Sequence, residues 1–253
     1  MAPRPTFDRP IAHRGLHDRA QGVIENSRSA FEAAIARRFA TECDVQLSRD
    51  GVPIIFHDDD LERLTGLKGL IGSRTADELT ATPLLDSAAG DRPMRLTEFL
   101  ALIAGRTLPQ IELKRQPTSA MTDNLARAAA EALEAYDGSV TVESFDPNLL
   151  IAVRKHGYKG PLGIITYRYD QPEWEKGVTD GQRTVLRHLL HWPWTRFSFI
   201  SCFHKAVDLP AVRFFRSLGV PVTVWTIRTP EERRLAAAGA DQIVFEGFDP
   251  ESA

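Results

Sequence analysis

Short apolar runs alternate along the chain with longer stretches in which apolar residues recur every three or four positions. The runs that have the length and composition of β-strands are Pro10–His13, Thr41–Leu47, Leu108–Leu113, Ser139–Glu143, Leu162–Ile165, Phe199–Cys202, Val222–Thr226 and Gln242–Phe245. Several are apolar at nearly every position, which is typical of parallel strands covered by helices on the outside. The pattern predicts an α/β fold, a (β/α)8 barrel (TIM barrel), with a doubly wound open sheet as the alternative.

Helix starts between the strands carry their own signals. Asp146-Pro147 places a capping residue before a proline, and Thr229-Pro230 is followed by Glu232 at the position of a capping-box glutamate. No linker rich in glycine, serine or proline divides the chain, so we expect residues 1–253 to form a single domain.

The least regular stretch, about residues 58–95, follows a predicted hairpin arm at Val52–Phe56. It contains Leu61, Leu64, Leu67 and Leu70 among glycines. We interpret it as a small insertion over one mouth of the barrel, near the active site.

Composition excludes several classes of protein. Of the 253 residues, 43% are hydrophobic and 26% are charged, the net charge is -3, and no basic stripe suited to nucleic acid is present. No apolar run approaches the roughly 18 residues of a membrane span, and no secretory leader is recognisable at the start. The chain has two cysteines, too few for a disulfide framework. We therefore expect a cytoplasmic protein with a small-molecule partner, whose oligomeric state the sequence does not indicate.

Two carboxylates share one face of the second predicted strand. The period of two places Glu42 and Asp44 on one side and Cys43 on the other. Because two unpaired charges are costly to bury, this face predicts either a bound divalent cation or ion pairs with arginines at the rim.

The third predicted strand adds an acid and a base. Glu112 and Lys114 share a face. Three carboxylates suit Mg²⁺ or Ca²⁺, whereas Zn²⁺ favours histidine and cysteine. Lys114 suits an anionic ligand, although most Glu-x-Lys pairs at a strand end are simple ion pairs at the rim.

Two histidines each close an apolar run. His13 ends the first strand and precedes Arg14, while His57 follows the hairpin arm and precedes Asp58, which can orient its ring. Beside an acidic cluster, such histidines are candidates for acid/base catalysis, with a structural hydrogen bond as the alternative. Arg14 offers a planar fork for a phosphate group.

The combination of motifs closely resembles the glycerophosphodiester phosphodiesterase family over nearly the whole chain. The motifs that carry the resemblance are His13-Arg14-Gly15, Glu25-Asn26-Ser27, Glu42-Cys43-Asp44-Val45, Asp50-Gly51, His57-Asp58, Ile111-Glu112-Leu113-Lys114, Ser144-Phe145-Asp146-Pro147 and Val224-Trp225-Thr226. The family pattern is broken late in the chain, at Arg228 and Glu246.

The resemblance implies a (β/α)8 barrel that hydrolyses glycerophosphodiesters to sn-glycerol 3-phosphate and an alcohol with a divalent cation, Mg²⁺ or Ca²⁺. It assigns acid/base catalysis to His13 and His57. The residues it implies for the metal are Glu42, Asp44 and Glu112. Those it implies for the phosphate are Arg14 and Lys114. Phe145 and Trp225 are candidates for packing around the glycerol or the alcohol, with core packing as the alternative.

The resemblance also implies that the glycerol 2-hydroxyl attacks phosphorus and that a cyclic phosphate is then opened by water. We expect His13 to act first as base and His57 as acid. Two alternatives remain open: a phosphodiesterase for a sugar phosphodiester or a lysophospholipid head group, and a non-catalytic binding barrel.

Overall fold

The chain is described here from a computed structural model, which covers residues 3–171 and 177–252. The strands in this part of the chain are β1 (Ile11–Ala12), β2 (Ala40–Leu47), β3 (Pro53–Ile55), β4 (Met94–Arg95), β5 (Pro109–Leu113), β6 (Thr141–Ser144), β7 (Leu162–Thr166), β8 (Phe199–Phe203), β9 (Val222–Ile227) and β10 (Gln242–Phe245).

Eight of these strands close into a parallel barrel. Strands β2 and β5 to β10 pair in sequence order, and β1 pairs with both β10 and β2. The closing strand aligns Ile11 with Val244 on one side and with Ala40 on the other. This closure confirms the predicted (β/α)8 barrel and excludes the doubly wound open sheet.

Helices surround the barrel. In the described residues they are α1 (Arg28–Ala36), α2 (Glu62–Thr65), α3 (Ala76–Ala81), α4 (Leu96–Ile103), α5 (Ser119–Glu134), α6 (Pro147–Lys155), α7 (Asp180–Arg187), α8 (Trp192–Thr195), α9 (Pro210–Ser217) and α10 (Pro230–Ala236). None of them is long and apolar enough to cross a membrane.

Capping side chains explain where several helices begin. Asp146 caps α6 and Thr229 caps α10, each accepting a hydrogen bond from a backbone N–H of the first turn, as predicted. The capping box predicted for Glu232 is wrong in detail, because its Oε2 accepts from the backbone N of Arg228 at 2.7 Å instead of from the cap residue. The glutamate therefore ties the helix to the end of β9.

The segment between β3 and β4 forms a small subdomain on the barrel. Strand β3 pairs antiparallel with both β2 and β4. Leu61 and Leu64 are buried in a separate apolar cluster that also contains Phe56. Leu67 and Leu70, by contrast, are 41% and 59% exposed. The leucine pattern therefore stabilises the insertion through two positions and leaves the other two at the surface.

The main apolar core lies between the barrel and its helices. Cys43 and Cys202 are both free and buried in it. Inside the barrel, a smaller cluster that includes Phe7, Ile11 and Phe199 fills the end where the strands begin. Functional side chains are therefore expected at the opposite end, where the strands terminate.

Candidate active site

The acidic residues occupy adjacent strands at the carboxyl end of the barrel. In the parallel pairing of β2 with β5, Asp44 aligns with Glu112 and Glu42 aligns with Gln110. Because side chains two positions apart share a face, all three carboxylates point the same way. Each offers one oxygen, and these oxygens lie within 4.8 Å of one another.

Burial makes this cluster of carboxylates electrostatically strained. Burial and the charges of Asp44 and Glu112 raise the pKa of Glu42 well above its usual value. Burial alone would also raise the pKa of Asp44, but the charges of Lys114, His57, Arg14 and His13 together outweigh it and lower that pKa. The histidines His57 and His13 act on Asp44 in the same direction, so both lie within electrostatic reach of the acidic cluster.

Two basic side chains contact the same carboxylates. The Nζ of Lys114 lies 2.9 Å from Glu112 and 3.3 Å from Asp44. The Nε of Arg14 lies 3.3 Å from Asp44, and the backbone N of Arg14 donates to Glu42 at 2.9 Å. Both residues predicted to contact phosphate, Arg14 and Lys114, therefore lie next to the three acids. The carboxylate cluster thus also forms ion pairs with basic side chains.

The donor set fits a hard divalent cation. The group consists of carboxylate oxygens without a histidine or cysteine, which is the preference of Mg²⁺ and Ca²⁺. Burial and the negative charges of Asp44 and Glu112 outweigh Arg14 and raise the pKa of Glu42, so the three carboxylates repel one another. A dication bound among them would remove this repulsion.

The backbone at the end of β1 is shaped to bring Arg14 to the acids. Arg14 has a φ of 54° and Gly15 a φ of 81°, both in the left-handed region. A side chain at Gly15 would place its Cβ 2.8 Å from that of Ala30 in α1. The glycine therefore permits a close approach to a helix, which aims Arg14 into the barrel mouth.

The motif Glu25-Asn26-Ser27 supplies contacts that residue patterns alone did not reveal. Ser27 caps α1. The Nδ2 of Asn26 donates to Asp44 at 2.9 Å. The carboxylate of Glu25 accepts from Arg14 at 2.7 Å and from Arg63 at 2.7 and 2.8 Å. Arg63 belongs to the insertion, so Glu25 links the insertion to the barrel mouth.

His57 is oriented by its neighbour in sequence. Its Nδ1 lies 2.8 Å from Oδ1 of Asp58, as the sequence indicated. Arg63 in turn donates to both oxygens of Asp58, at 2.6 and 3.0 Å. The carboxylate fixes the ring through Nδ1, which leaves Nε2 as the nitrogen for chemistry.

His13 is oriented by a residue from the far end of the chain. Its Nδ1 lies 2.7 Å from Oε2 of Glu246. Burial lowers the pKa of His13 to about 4, although the hydrogen bond to Glu246 partly opposes this shift. A neutral imidazole that donates Nδ1–H to Glu246 keeps an unprotonated Nε2, as a general base requires.

Aromatic side chains form one wall of the mouth. The Phe145 and Trp225 rings are 5.6 Å apart in an edge-to-face arrangement, and both are half-buried. The Phe203 ring lies 5.3 Å from Trp225, and the Tyr167 ring lies 6.2 Å from Phe145. The two predicted packing residues therefore belong to a larger aromatic surface.

Glu143 is a buried acid that the sequence analysis did not single out. It aligns with Glu112 in the pairing of β5 with β6 and accepts from Gln110 at 3.0 Å. Burial and the charge of Glu112 raise its pKa to about 8. The period of two places Glu143 and the apolar Val142 on opposite faces of the strand. The strand pattern therefore already indicated an acid that points into the barrel.

The remaining histidines are not all surface residues. His191 is 5% exposed, and burial lowers its pKa to about 4. The Nε2 of His17 is buried without a hydrogen bond. His191 is therefore a buried residue, and its environment is set by the packing of α8.

Known proteins resemble this chain in sequence and in fold. The family model for the glycerophosphoryl diester phosphodiesterase family matches residues 13–249. A glycerophosphodiester phosphodiesterase from Caldanaerobacter subterraneus is 26% identical over 96% of this chain and 94% of its own length. A human lysophospholipase D is 31% identical over 53% of this chain and 43% of its own length. A phosphodiesterase from Oleispira antarctica, solved with the product sn-glycerol 3-phosphate, superposes with a TM-score of 0.75 at 23% identity, covering 96% of this chain and 93% of its own.

The barrel and these matches together define a phosphoric diester hydrolase. The chain belongs to the glycerophosphoryl diester phosphodiesterase family.

Proposed function

We propose that this chain hydrolyses glycerophosphodiesters to sn-glycerol 3-phosphate and an alcohol, with a divalent cation, Mg²⁺ or Ca²⁺, bound by Glu42, Asp44 and Glu112. The observation that carries the proposal is the convergence of three carboxylate oxygens within 4.8 Å of one another, in contact with Lys114 and Arg14. The three carboxylates would repel an anionic phosphodiester. Such a substrate can bind here only when positive charge compensates the carboxylates.

When bound, the cation would supply positive charge to the phosphate oxygens. The side chains of Arg14 and Lys114 bind the same phosphate group. Because attack on phosphorus adds negative charge to the non-bridging oxygens, these cationic side chains stabilise the transition state more than the ground state.

The two histidines perform the proton transfers. His13 takes a proton from the glycerol 2-hydroxyl as that oxygen attacks phosphorus, and His57 protonates the leaving alcohol. The product is a cyclic phosphate. In the second step, His57 removes a proton from water, and His13 returns a proton to the 2-hydroxyl as the ring opens.

Several features support this assignment of the substrate. The relative from Caldanaerobacter subterraneus is a glycerophosphodiester phosphodiesterase, and the phosphodiesterase from Oleispira antarctica was solved with sn-glycerol 3-phosphate. Phe145 and Trp225 offer apolar surface for the glycerol or the alcohol. The insertion, about residues 58–95, completes the site through Asp58 and Arg63, so we propose that residues 1–253 act as one catalytic unit. A cytoplasmic location is part of the proposal, supported by the free cysteines.

A second candidate substrate is a lysophospholipid, whose head group carries the same phosphodiester. The match to a human lysophospholipase D favours it. So do the exposed Leu67, Leu70 and Leu85 on the insertion, which provide apolar surface for an acyl chain.

Product analysis across a panel of phosphodiesters tests the proposal. The panel contains glycerophosphocholine, glycerophosphoethanolamine, a lysophospholipid, a sugar phosphodiester and a glycerophosphodiester analogue without the 2-hydroxyl. We expect sn-glycerol 3-phosphate from the first two and very slow turnover of the deoxy analogue, because intramolecular attack depends on that hydroxyl. Normal turnover of the deoxy analogue would exclude the cyclic phosphate. Binding without turnover of any member would identify a non-catalytic barrel.

A further inference from the structure

The two positions at which the chain departs from the family pattern contact each other. The Nη2 of Arg228 lies 3.3 Å from Oε2 of Glu246, and this same oxygen lies 2.7 Å from Nδ1 of His13. The three side chains therefore form a continuous series in which an arginine holds a carboxylate and the carboxylate holds the imidazole.

The same arrangement occurs at the other candidate acid/base residue. Arg63 donates to Asp58, and Asp58 lies 2.8 Å from Nδ1 of His57. The two sets come from different parts of the chain, since Asp58 adjoins His57 whereas Glu246 is 233 positions from His13. Each histidine thus has its Nδ1 engaged by a carboxylate that an arginine holds in place.

Closure of the barrel brings Arg228 and Glu246 next to His13. The backbone N of His13 donates to the carbonyl of Phe245 at 3.0 Å, because β1 pairs with β10. The backbone N of Glu246 donates to the carbonyl of Ile227 at 3.0 Å, which places Glu246 beside Arg228 at the end of β9. Three backbone segments therefore fix the positions of these side chains.

The carboxylate is also the more enclosed member of the Arg228–Glu246 pair. The side chain of Glu246 is 25% exposed, and that of Arg228 is 58% exposed. The hydrogen bond to His13 lowers the pKa of Glu246 to about 2, so Glu246 is an acceptor at neutral pH. A neutral His13 must then carry its proton on Nδ1.

We propose that Glu246 is a positioning residue that holds His13 in the Nδ1–H tautomer and orients Nε2 toward the substrate, and that Arg228 holds Glu246 in place. The role of Nε2 as a base rests on the proposed function, whereas the assignment of the Nδ1–H tautomer does not. Without an acceptor at position 246, the ring is free to rotate and to place its proton on Nε2, where it blocks proton abstraction.

Imidazole ¹⁵N NMR tests the tautomer independently of activity. In the wild-type protein at pH 7, we expect the His13 signals of an Nδ1–H tautomer, assigned by their absence in His13→Gln. In Glu246→Met, which removes the acceptor at similar length, we expect a shift toward the Nε2–H tautomer. Unchanged His13 signals in a folded Glu246→Met protein would overturn the proposal, whatever its turnover.

Kinetics test the consequence. Glu246→Met is expected to lower kcat by about 10- to 100-fold with KM changed less than about threefold, the scale of losing a carboxylate that orients a histidine. Glu246→Gln keeps an acceptor and should recover part of the rate. Arg228→Asn should have a smaller effect that is not additive with Glu246→Met.

The matched control is Glu251→Gln, which removes another carboxylate near the chain terminus that pairs with an arginine, Arg9, at the surface. It should leave kcat unchanged. A normal kcat in Glu246→Met would overturn the positioning role. An inactive wild-type protein that shows the Nδ1–H tautomer would contradict the proposed function and still support the role of Glu246.

Discussion

The Nζ of Lys114 lies 2.9 Å from Oε1 of Glu112, a residue that also belongs to the carboxylate cluster. Burial alone would lower the pKa of Lys114, but Glu112 and Asp44 outweigh it and raise the pKa, so the lysine stays charged. A single ammonium group therefore compensates two acids of the proposed metal site and remains available to a phosphate.

This relationship predicts how Lys114→Met behaves without divalent ions. Two largely buried carboxylates lose a charged partner, so unfolding free energy should fall by about 1 to 3 kcal/mol in the presence of chelator. Added Mg²⁺ should stabilise the variant more than the wild type. Urea denaturation with and without metal measures both effects. Lys155→Met, at a 72% exposed lysine, is the control, and equal stability of the two variants would contradict the account.

The histidine variants test the acid/base assignment. His13→Ala and His57→Ala should each lower turnover by about two to four orders of magnitude while leaving the fold intact. Their effects should not add if both act in one step. Steady-state kinetics with circular dichroism measures this, and His188→Ala, at an exposed position that ends α7, is the control. Near-normal turnover in a folded variant would remove that histidine from the mechanism.

Calorimetric titration of metal tests the carboxylate cluster without reference to turnover. Glu42→Gln, Asp44→Asn and Glu112→Gln should each weaken Mg²⁺ or Ca²⁺ binding by at least about tenfold, since each removes a charged oxygen ligand. Asp180→Asn changes a 97% exposed acid and should bind metal as the wild type does. Wild-type affinity in all three cluster variants would place the metal elsewhere.

The buried His191 predicts a pH dependence of stability away from the site. Burial lowers its pKa from 6.5 to about 4, so the unfolded chain binds a proton more readily than the folded one between these values. Stability is therefore fully present above pH 6.5 and is lost as pH falls toward 4. This residue should contribute about 1 to 2 kcal/mol to the loss between pH 7 and pH 5.

Urea denaturation at pH 7 and pH 5 checks this contribution. His191→Leu should reduce the loss of stability on acidification, because the group that must stay neutral is gone. Thr195 keeps its bond to the carbonyl of residue 191 in this variant. His188→Leu is the matched control, and an identical pH response in His191→Leu and the wild type would refute the assignment.

The sequence predicted the strands well because buried parallel strands are nearly continuous apolar runs. Helix boundaries were less predictable. Helix α7, for example, begins at Asp180 because Thr179 caps it in a capping box with Gln182. Such reciprocal hydrogen bonds depend on local geometry that periodicity does not encode.

The carboxylate cluster was accessible from the sequence because Glu42, Asp44 and Glu112 obey the period of two within their strands. The contact between His13 and Glu246 was not accessible, since it requires the register with which β10 closes against β1. The role of Glu25 was equally hidden, because its two arginine partners come from the barrel mouth and from the insertion. Residue pattern predicts which faces meet, but not which side chains pair across them.

Metal-dependent release of sn-glycerol 3-phosphate is the most direct test of the central claim. The protein is stripped of divalent ions, and glycerophosphocholine hydrolysis is followed as Mg²⁺ or Ca²⁺ is returned. We predict that chelation abolishes product release and that added metal restores it in the wild type but not at comparable concentrations in Asp44→Asn. Full activity after exhaustive removal of divalent ions would contradict the account and favour a phosphodiesterase that relies on its histidines alone.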